Sequence, residues 1–181
     1  PNTLEINKYT HVLDWYMDKS NHDYSNKLET MIAGVPHVFG WGGIHGAIEQ
    51  YNSDGDFLLL DVGSMYPSLM IEYNLHSRNI KNPQKFIDIY EERQRLKAAK
   101  DPAQAPLKLV LNTTYGTMKA KFNGLYDPRQ ANRVCIYGQL LLLDLIEKLE
   151  AHVDIIQSNT DGVLIKLRKP SDYDLVDDIA Y

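Results

Sequence analysis

Apolar runs broken by Gly, Pro and Asp divide the chain into predicted elements. Residues 1–34 are mixed and polar, with a weak helical period over 10–18. Over 37–51, Gly40, Gly42, Gly43 and Gly46 stand among apolar residues, which predicts a strand with close backbone approaches. Residues 52–56 form a turn whose Asp54-Gly55 step favours a hairpin. The return strand is 57–62, a continuous apolar run of the kind expected at a sheet centre. Helices are predicted over 67–73 and 83–100; residues 101–106, with two prolines, then break the chain, and a third helix begins near Leu107. Pro128 opens a long apolar-rich helix to about Ala151. Residues 153–157 and 163–167 are two strands joined by a short turn, a hairpin with Asp161 at or beside its tip. The acidic tail after Asp172 carries no evident chemistry. Strands, a helical insert and a return to the same sheet predict an α+β fold.

Composition narrows the chemistry. No apolar stretch approaches the roughly 18 residues that a membrane span needs. Cys135 is the one cysteine, which excludes an internal disulfide framework and any multi-cysteine zinc site. The six histidines (His11, His22, His37, His45, His76, His152) never fall in a tight ligand spacing, so a histidine metal site is not expected. The chain opens on Pro1 rather than Met, and is expected to be a piece of a longer protein. Net charge is −5, which at first argues against a nucleic-acid partner. The average hides a split: residues 78–133 hold twelve Lys/Arg and five acids, a net +7, and the remainder sums to −12. A basic insert on an acidic scaffold fits a polyanion held over a metal-binding base; charge alone fits a solvated basic face equally well.

Within the insert, Phe86, Tyr90, Arg93, Lys97 and Lys100 fall on one helical face. Like charges at i, i+4, as in Arg93 and Lys97, disfavour an isolated helix by roughly 0.2–0.5 kcal/mol, so their alignment suggests an anionic ligand, against which stands a solvated surface balanced by Glu91 and Glu92. On the next helix Lys108, Asn112, Tyr115 and Lys119 make one polar stripe, with Leu107, Val110, Leu111, Thr114 and Met118 on the side expected to face the core. Gly116 costs that helix about 1 kcal/mol relative to Ala, and leaves room beside Tyr115 for a flat group such as a base pair.

Asp61 ends the apolar run 57–60, just before Gly63-Ser64 and a helix start, where an anion would meet free backbone N–H groups. Asp161 stands in Ser158-Asn159-Thr160-Asp161-Gly162. Each alone reads as an ordinary turn or capping residue. Two carboxylates at strand ends beside a cationic helix suit two-metal phosphoryl transfer, provided folding brings together residues about a hundred positions apart.

At these residues the chain resembles the palm and fingers of a family B DNA polymerase of phage type. Asp61-Val62-Gly63-Ser64-Met65-Tyr66-Pro67-Ser68 is similar to that family's motif A (D-x-x-S-L-Y-P-S), and Lys108 to Gly116 to motif B (K-x-x-x-N-S-x-Y-G), with Thr113 for Ser. Ser158 to Gly162 resembles motif C (Y-G-D-T-D-S), with Asn159 for the first aspartate and Gly162 for the final serine. Phe39 to Gly43 loosely resembles the Tyr-x-Gly-Gly element ahead of motif A. The resemblance implies a palm of antiparallel sheet packed on helices, in residues 1–82 and 128–181, with helical fingers inserted at 83–127. It implies that Asp61 and Asp161 are catalytic and, with the Val62 carbonyl, bind two Mg²⁺ ions, for which Mn²⁺ substitutes. Ser64 and Met65 would offer N–H groups to the triphosphate, and Tyr66 would stack under the sugar and exclude a 2′-hydroxyl. Arg93, Lys97, Lys108 and Asn112 would hold the phosphates, and Tyr115, Gly116 and Thr160 would meet the nascent base pair and DNA.

The expected activity is template-directed addition of deoxynucleotides to a primer 3′-hydroxyl, with primer–template DNA and dNTPs as partners, no membrane, and a cytoplasmic setting in a bacterial host. The family's thumb, its Lys-x-Tyr primer-binding element and its proofreading exonuclease have no counterpart in these residues, so weak extension is expected. The alternative is a catalytically idle palm that binds DNA or protein, favoured by Asn159.

Overall fold

The computed structural model describes residues 4–21 and 23–180; His22 and Pro1 lie outside them. Among the described residues the chain is mixed α+β, with six helices and one six-stranded sheet in which every pairing is antiparallel. The chain divides into two compact units, Ser64–Cys135 and the remainder on either side of it.

The discontinuous unit holds the sheet. Its strands are β1 (Leu28–Ile32), β2 (Val35–Phe39), β3 (His45–Ala47), β4 (Phe57–Asp61), β5 (Val153–Asn159) and β6 (Gly162–Leu167), in the order β1-β2-β3-β5-β6-β4. Strand alternation splits the sheet into two faces. Ile32, Val35, Phe39, Val153, Ile155, Val163, Ile165 and Leu167 form one core with Val12 of α1 (Thr10–Met17), Leu142, Leu143, Ile146 and Leu149 of α5 (Pro128–Leu149), and Val176 of α6 (Asp172–Ala180). The opposite residues of the strands are mostly exposed or half-buried. Among the polar residues buried in this unit is His37, whose Nδ1–H donates to the Val35 carbonyl at 2.9 Å. Burial pushes its imidazole below the usual histidine range, so it stays neutral. Gly46 is its cross-strand partner, and a Cβ there would lie 2.4 Å from the His37 ring. That contact explains one of the glycines in the Gly-rich stretch.

Three local expectations are corrected. The apolar run 57–60 is an edge strand rather than a central one, since β4 is last in the sheet order and pairs only with β6; one sheet face is open, so Leu58 and Leu60 pack against the core while Leu59 is 70% exposed. The Asp54-Gly55 turn does not close a hairpin, since β3 pairs with β5 and β4 with β6. The real N-terminal hairpin is β1–β2, closed by Ala33 and Gly34, both at positive φ (49° and 75°), the requirement of a tight two-residue turn. β1 lies in the segment read as polar, and the acidic tail forms α6 with Val176 buried beneath it.

The Ser64–Cys135 unit is helical: α2 (Met65–Glu72), α3 (Gln84–Ala98), α4 (Gln104–Lys119) and the first turns of α5. Asp127 starts α5 ahead of Pro128, whose missing N–H costs nothing in a first turn. The Asp127 carboxylate accepts from the Gln130 N–H at 3.3 Å and takes a two-pronged pair from Arg78 at 2.8 Å, reinforced by the Arg78 N–H. Among the described residues no helix is long and apolar enough to cross a membrane.

Candidate functional site

In the sheet unit the backbones of the two aspartates come together. Asp61 ends β4 directly opposite Gly162, and the Val62 N–H donates to the Asp161 carbonyl at 2.8 Å, so the two residues lie one step out of register at the same end of the sheet. The β5–β6 hairpin turns on Thr160 and Asp161, as the sequence suggested, with one difference. The left-handed residue is Thr160 (φ 48°), and Gly162 is the first residue of β6. A β-branched residue in that region is strained by about 1–3 kcal/mol, a cost the surroundings must hold in place. Here they do: the Thr160 N–H donates to the Ile44 carbonyl at 2.9 Å, and Asp161 N–H donates to the Asn159 carbonyl at 2.5 Å. Gly43 lets Thr160 approach, since a Cβ on it would lie 3.0 Å from Thr160 Oγ1. Gly162 has an equally physical reason, for a Cβ there would lie 3.1 Å from the Leu60 carbonyl oxygen. A serine at that position would crowd β4.

The register links further residues to Asp61. Reading across the strands, Glu29, Val38, His45, Asn159, Gly162 and Asp61 form one continuous cross-strand row. The adjacent row (Thr30, His37, Gly46, Ser158, Val163, Leu60) includes the buried His37, Ser158 and Val163, so the first row lies on the open face. His45, Asn159, Asp61 and Asp161 are all exposed. Nothing in the sequence relates position 45 to position 159, so the place of His45 in this row was not foreseen.

In the helical unit, motif-bearing residues meet in two places. Ser64 sits at φ 58° ahead of α2, and the Arg93 guanidinium donates to its Oγ. Ser68 Oγ donates to the Ser64 carbonyl at 3.0 Å and lies 2.9 Å from the Tyr90 hydroxyl, so neighbouring turns of α3 grip both serines. Arg93 is 5% exposed, makes no ion pair among the described residues, and its Nε has no hydrogen-bond partner. A buried guanidinium without a counter-charge is costly, and an anion is what would offset it. The Met65 side chain is buried, which leaves its backbone N–H, in the first turn of α2, as the group to offer a ligand.

The second meeting is aromatic. The Tyr66 and Tyr115 rings lie 4.5 Å apart between centroids, tilted by 40°. The Tyr115 hydroxyl is 2.6 Å from Cys135 Sγ, and Lys119 Nζ stands 5.2 Å from the Tyr115 ring centroid. Burial, then the neighbouring Cys135, push the Tyr115 phenol far above its usual range, so it stays protonated. A Cβ on Gly116 would meet nothing within 4 Å, which is the open space predicted beside Tyr115.

Two helical faces differ from expectation. On α3, Arg93 turns inward with Phe86 and Leu96 while Lys97 is exposed, and Lys100 lies beyond the helix end at a left-handed φ of 55°, so the cations expected in line do not share one environment. On α4, Leu111 and Met118 are buried, but Val110 is 44% exposed. Lys108 and Asn112 are exposed one turn apart on α4, and no contact draws them or Lys97 to Arg93.

Among the described residues no group of three or more His, Cys, Asp or Glu side chains is arranged to hold a metal ion. The Asp61 and Asp161 carboxylates and the Val62 carbonyl are an all-oxygen donor set, the kind that suits a hard cation. No family model matches this chain, and no curated protein matches it.

Proposed function

We propose that the chain is the palm-and-fingers core of a template-directed DNA polymerase of family B type. The observation that carries the reading is that the β4–β6 register and the Val62–Asp161 hydrogen bond place the backbones of Asp61 and Asp161 side by side at one end of the sheet. The donor set fits Mg²⁺ because this ion is commonly held by one or two carboxylates, with water and substrate phosphates completing its shell, rather than by a full protein cage. Bound there, divalent cations would lower the pKa of the primer 3′-hydroxyl and neutralise the leaving pyrophosphate.

The chain's own residues supply the rest. Arg93, buried and lacking a counter-charge, takes a triphosphate oxygen, with Lys97, Lys108 and Asn112 as outer contacts. Ser64 and Met65 offer N–H groups from the start of α2. Tyr66, held against Tyr115, presents a flat wall to the sugar, and Tyr115 with Gly116 borders the base pair. Thr160 holds the turn that carries Asp161.

The test is primer extension with dNTPs and Mg²⁺ or Mn²⁺, run beside Asp61→Ala and Asp161→Ala. Extension lost in both variants, with Mn²⁺ broadening the Val62 and Gly162 amide signals of the unaltered chain, supports the reading. Extension that survives both substitutions overturns it. DNA binding indifferent to the metal and to both substitutions points to an idle palm.

A further inference from the structure

We propose that the core beneath the β5–β6 turn binds one water molecule, which donates to His37 Nε2 and accepts from the Ser158 hydroxyl. This site is independent of the polymerase reading. Both residues are buried, at 1% and 2% exposure, and neither His37 Nε2 nor Ser158 Oγ has a hydrogen-bond partner among the described residues. They stand on either side of a glycine. His37 pairs with Gly46 on β3, and Gly46 with Ser158 on β5, so the three form one inward cross-strand row. The His37 ring fills the space where Gly46 has no side chain: a Cβ there would lie 2.6 Å from Nε2. Directly opposite Cβ atoms are about 4.5–5.5 Å apart, which puts Nε2 within about 8 Å of Ser158 Cβ. A one-water bridge, with two hydrogen bonds of about 2.8 Å added to the Cβ–Oγ bond, works on that scale.

The two groups are complementary to water. His37 Nδ1–H is spent on the Val35 carbonyl, so Nε2 carries a lone pair and no proton. Ser158 has one O–H to donate. Water supplies both missing halves, an O–H for the imidazole and a lone pair for the hydroxyl. The neighbours are apolar: the Phe39 ring lies 6.3 Å from that of His37, and the buried Val163 stands directly opposite Ser158. An anion would meet a neutral imidazole rather than a cation, because burial keeps His37 uncharged. A metal ion needs more ligands than these two, and among the described residues no group of three His, Cys, Asp or Glu is arranged to hold one. Buried waters serve to bridge polar groups of this kind. Here the bridge takes the place of the side chain that Gly46 lacks, and ties β2 to β5 one residue before Asn159.

The test is NMR on the isotope-labelled full chain, with Ser158→Ala beside it. In the parent the proposal expects cross-peaks from water to the His37 ring protons, with the sign of a long-lived bound molecule. It also expects the His37 Nε2 resonance at the frequency of a hydrogen-bonded acceptor. In Ser158→Ala the water loses an anchor, so those cross-peaks should be lost and Nε2 should move toward its unbonded frequency. Oxygen-17 relaxation of the solvent, which is blind to proton exchange, should report the loss of one long-lived water. The substitution removes a single buried oxygen and should fold; the parent spectra are decisive even if it does not. No water cross-peak at His37 in the parent overturns the proposal, whether Nε2 is then free or bonded directly to the Ser158 hydroxyl. Cross-peaks and an Nε2 frequency unchanged in Ser158→Ala overturn it too, because the water then belongs to other partners. Either result leaves the polymerase reading untouched.

Discussion

Val62 donates its backbone N–H to the carbonyl oxygen of Asp161 at 2.8 Å, one rung beyond the Asp61–Gly162 pair that ends the β4–β6 ladder. Through this bond the backbone beside one aspartate is fixed to the other. Neither carboxylate is needed for the bond, because both partners are main-chain groups. The site's geometry and its chemistry are therefore separable by substitution.

Asp61→Asn and Asp161→Asn should leave the fold intact and remove activity. Both side chains are exposed, so each should change stability by less than about 0.5 kcal/mol in chemical denaturation. Primer extension should fall by at least roughly 10²–10³-fold in each, the scale for losing one electrostatic stabiliser of the transition state. A matching loss of stability would mean that the aspartates serve the turn instead.

The glycines make the complementary prediction. Gly46→Ala drives a Cβ into the buried His37 ring, and Gly162→Ala crowds the Leu60 carbonyl. Overpacking of this kind costs about 1–3 kcal/mol, with Gly46→Ala at the upper end because its contact is with a buried ring. Gly116→Ala meets nothing within 4 Å and should stabilise α4 by about 1 kcal/mol. Urea denaturation of the three variants gives the order directly; a Gly46→Ala protein as stable as the parent would contradict the packing described.

Much of this arrangement was legible in the residue order, and its gaps have physical causes. Helices α1 to α5 and the β5–β6 hairpin follow from local period, proline and turn chemistry and are found within a few residues of expectation, whereas α6 was not foreseen in the acidic tail. Strand order is not local. The run 57–60 looks central by hydropathy, yet only the pairing of β4 with β6 decides that Leu59 faces outward. The inward turn of Arg93 was hidden because helical spacing groups it with Lys97, whereas burial separates them. His45 could not be connected to Asn159 from sequence, since the link passes through the register of β3 on β5.

Asp127 predicts a specific acid sensitivity. The Arg78 guanidinium and two backbone N–H groups hold its carboxyl well below the usual 3.8. A depressed folded pKa adds stability that is fully present above the unfolded value near 3.8, and that is lost as pH falls through that value toward the lower folded one. The stability curve should therefore steepen below about pH 4, and Asp127→Asn should flatten that limb. Asn still caps a helix but lacks the charge that Arg78 pairs with, so its cost at neutral pH should match the stability that the parent loses on acidification, a modest amount because Arg78 is largely exposed. Asp127→Ala removes the cap as well and should cost a further ~1 kcal/mol. Equal acid limbs in Asp127→Asn and the parent would show that Asp127 is not the group being titrated.

Arg93 offers the sharpest separation of stability from function. Its guanidinium is buried, it bonds to Ser64 Oγ, and it has no acidic partner among the described residues. A buried charge without a counter-charge carries a desolvation cost that an apolar side chain of similar length does not. Arg93→Met should accordingly melt no lower than the parent in anion-free buffer. A triphosphate or pyrophosphate at a hundred times its Kd should stabilise the parent by about 2.7 kcal/mol, and this gain should vanish in Arg93→Met. Arg93→Lys keeps the charge but loses the planar fork, so it should recover part of the gain. The two readouts must move in opposite directions if Arg93 is held ready for an anion. A variant that is destabilised without anion, yet still stabilised by pyrophosphate as much as the parent, would make Arg93 a structural clamp on Ser64 and assign the phosphates to the exposed cations of α3 and α4.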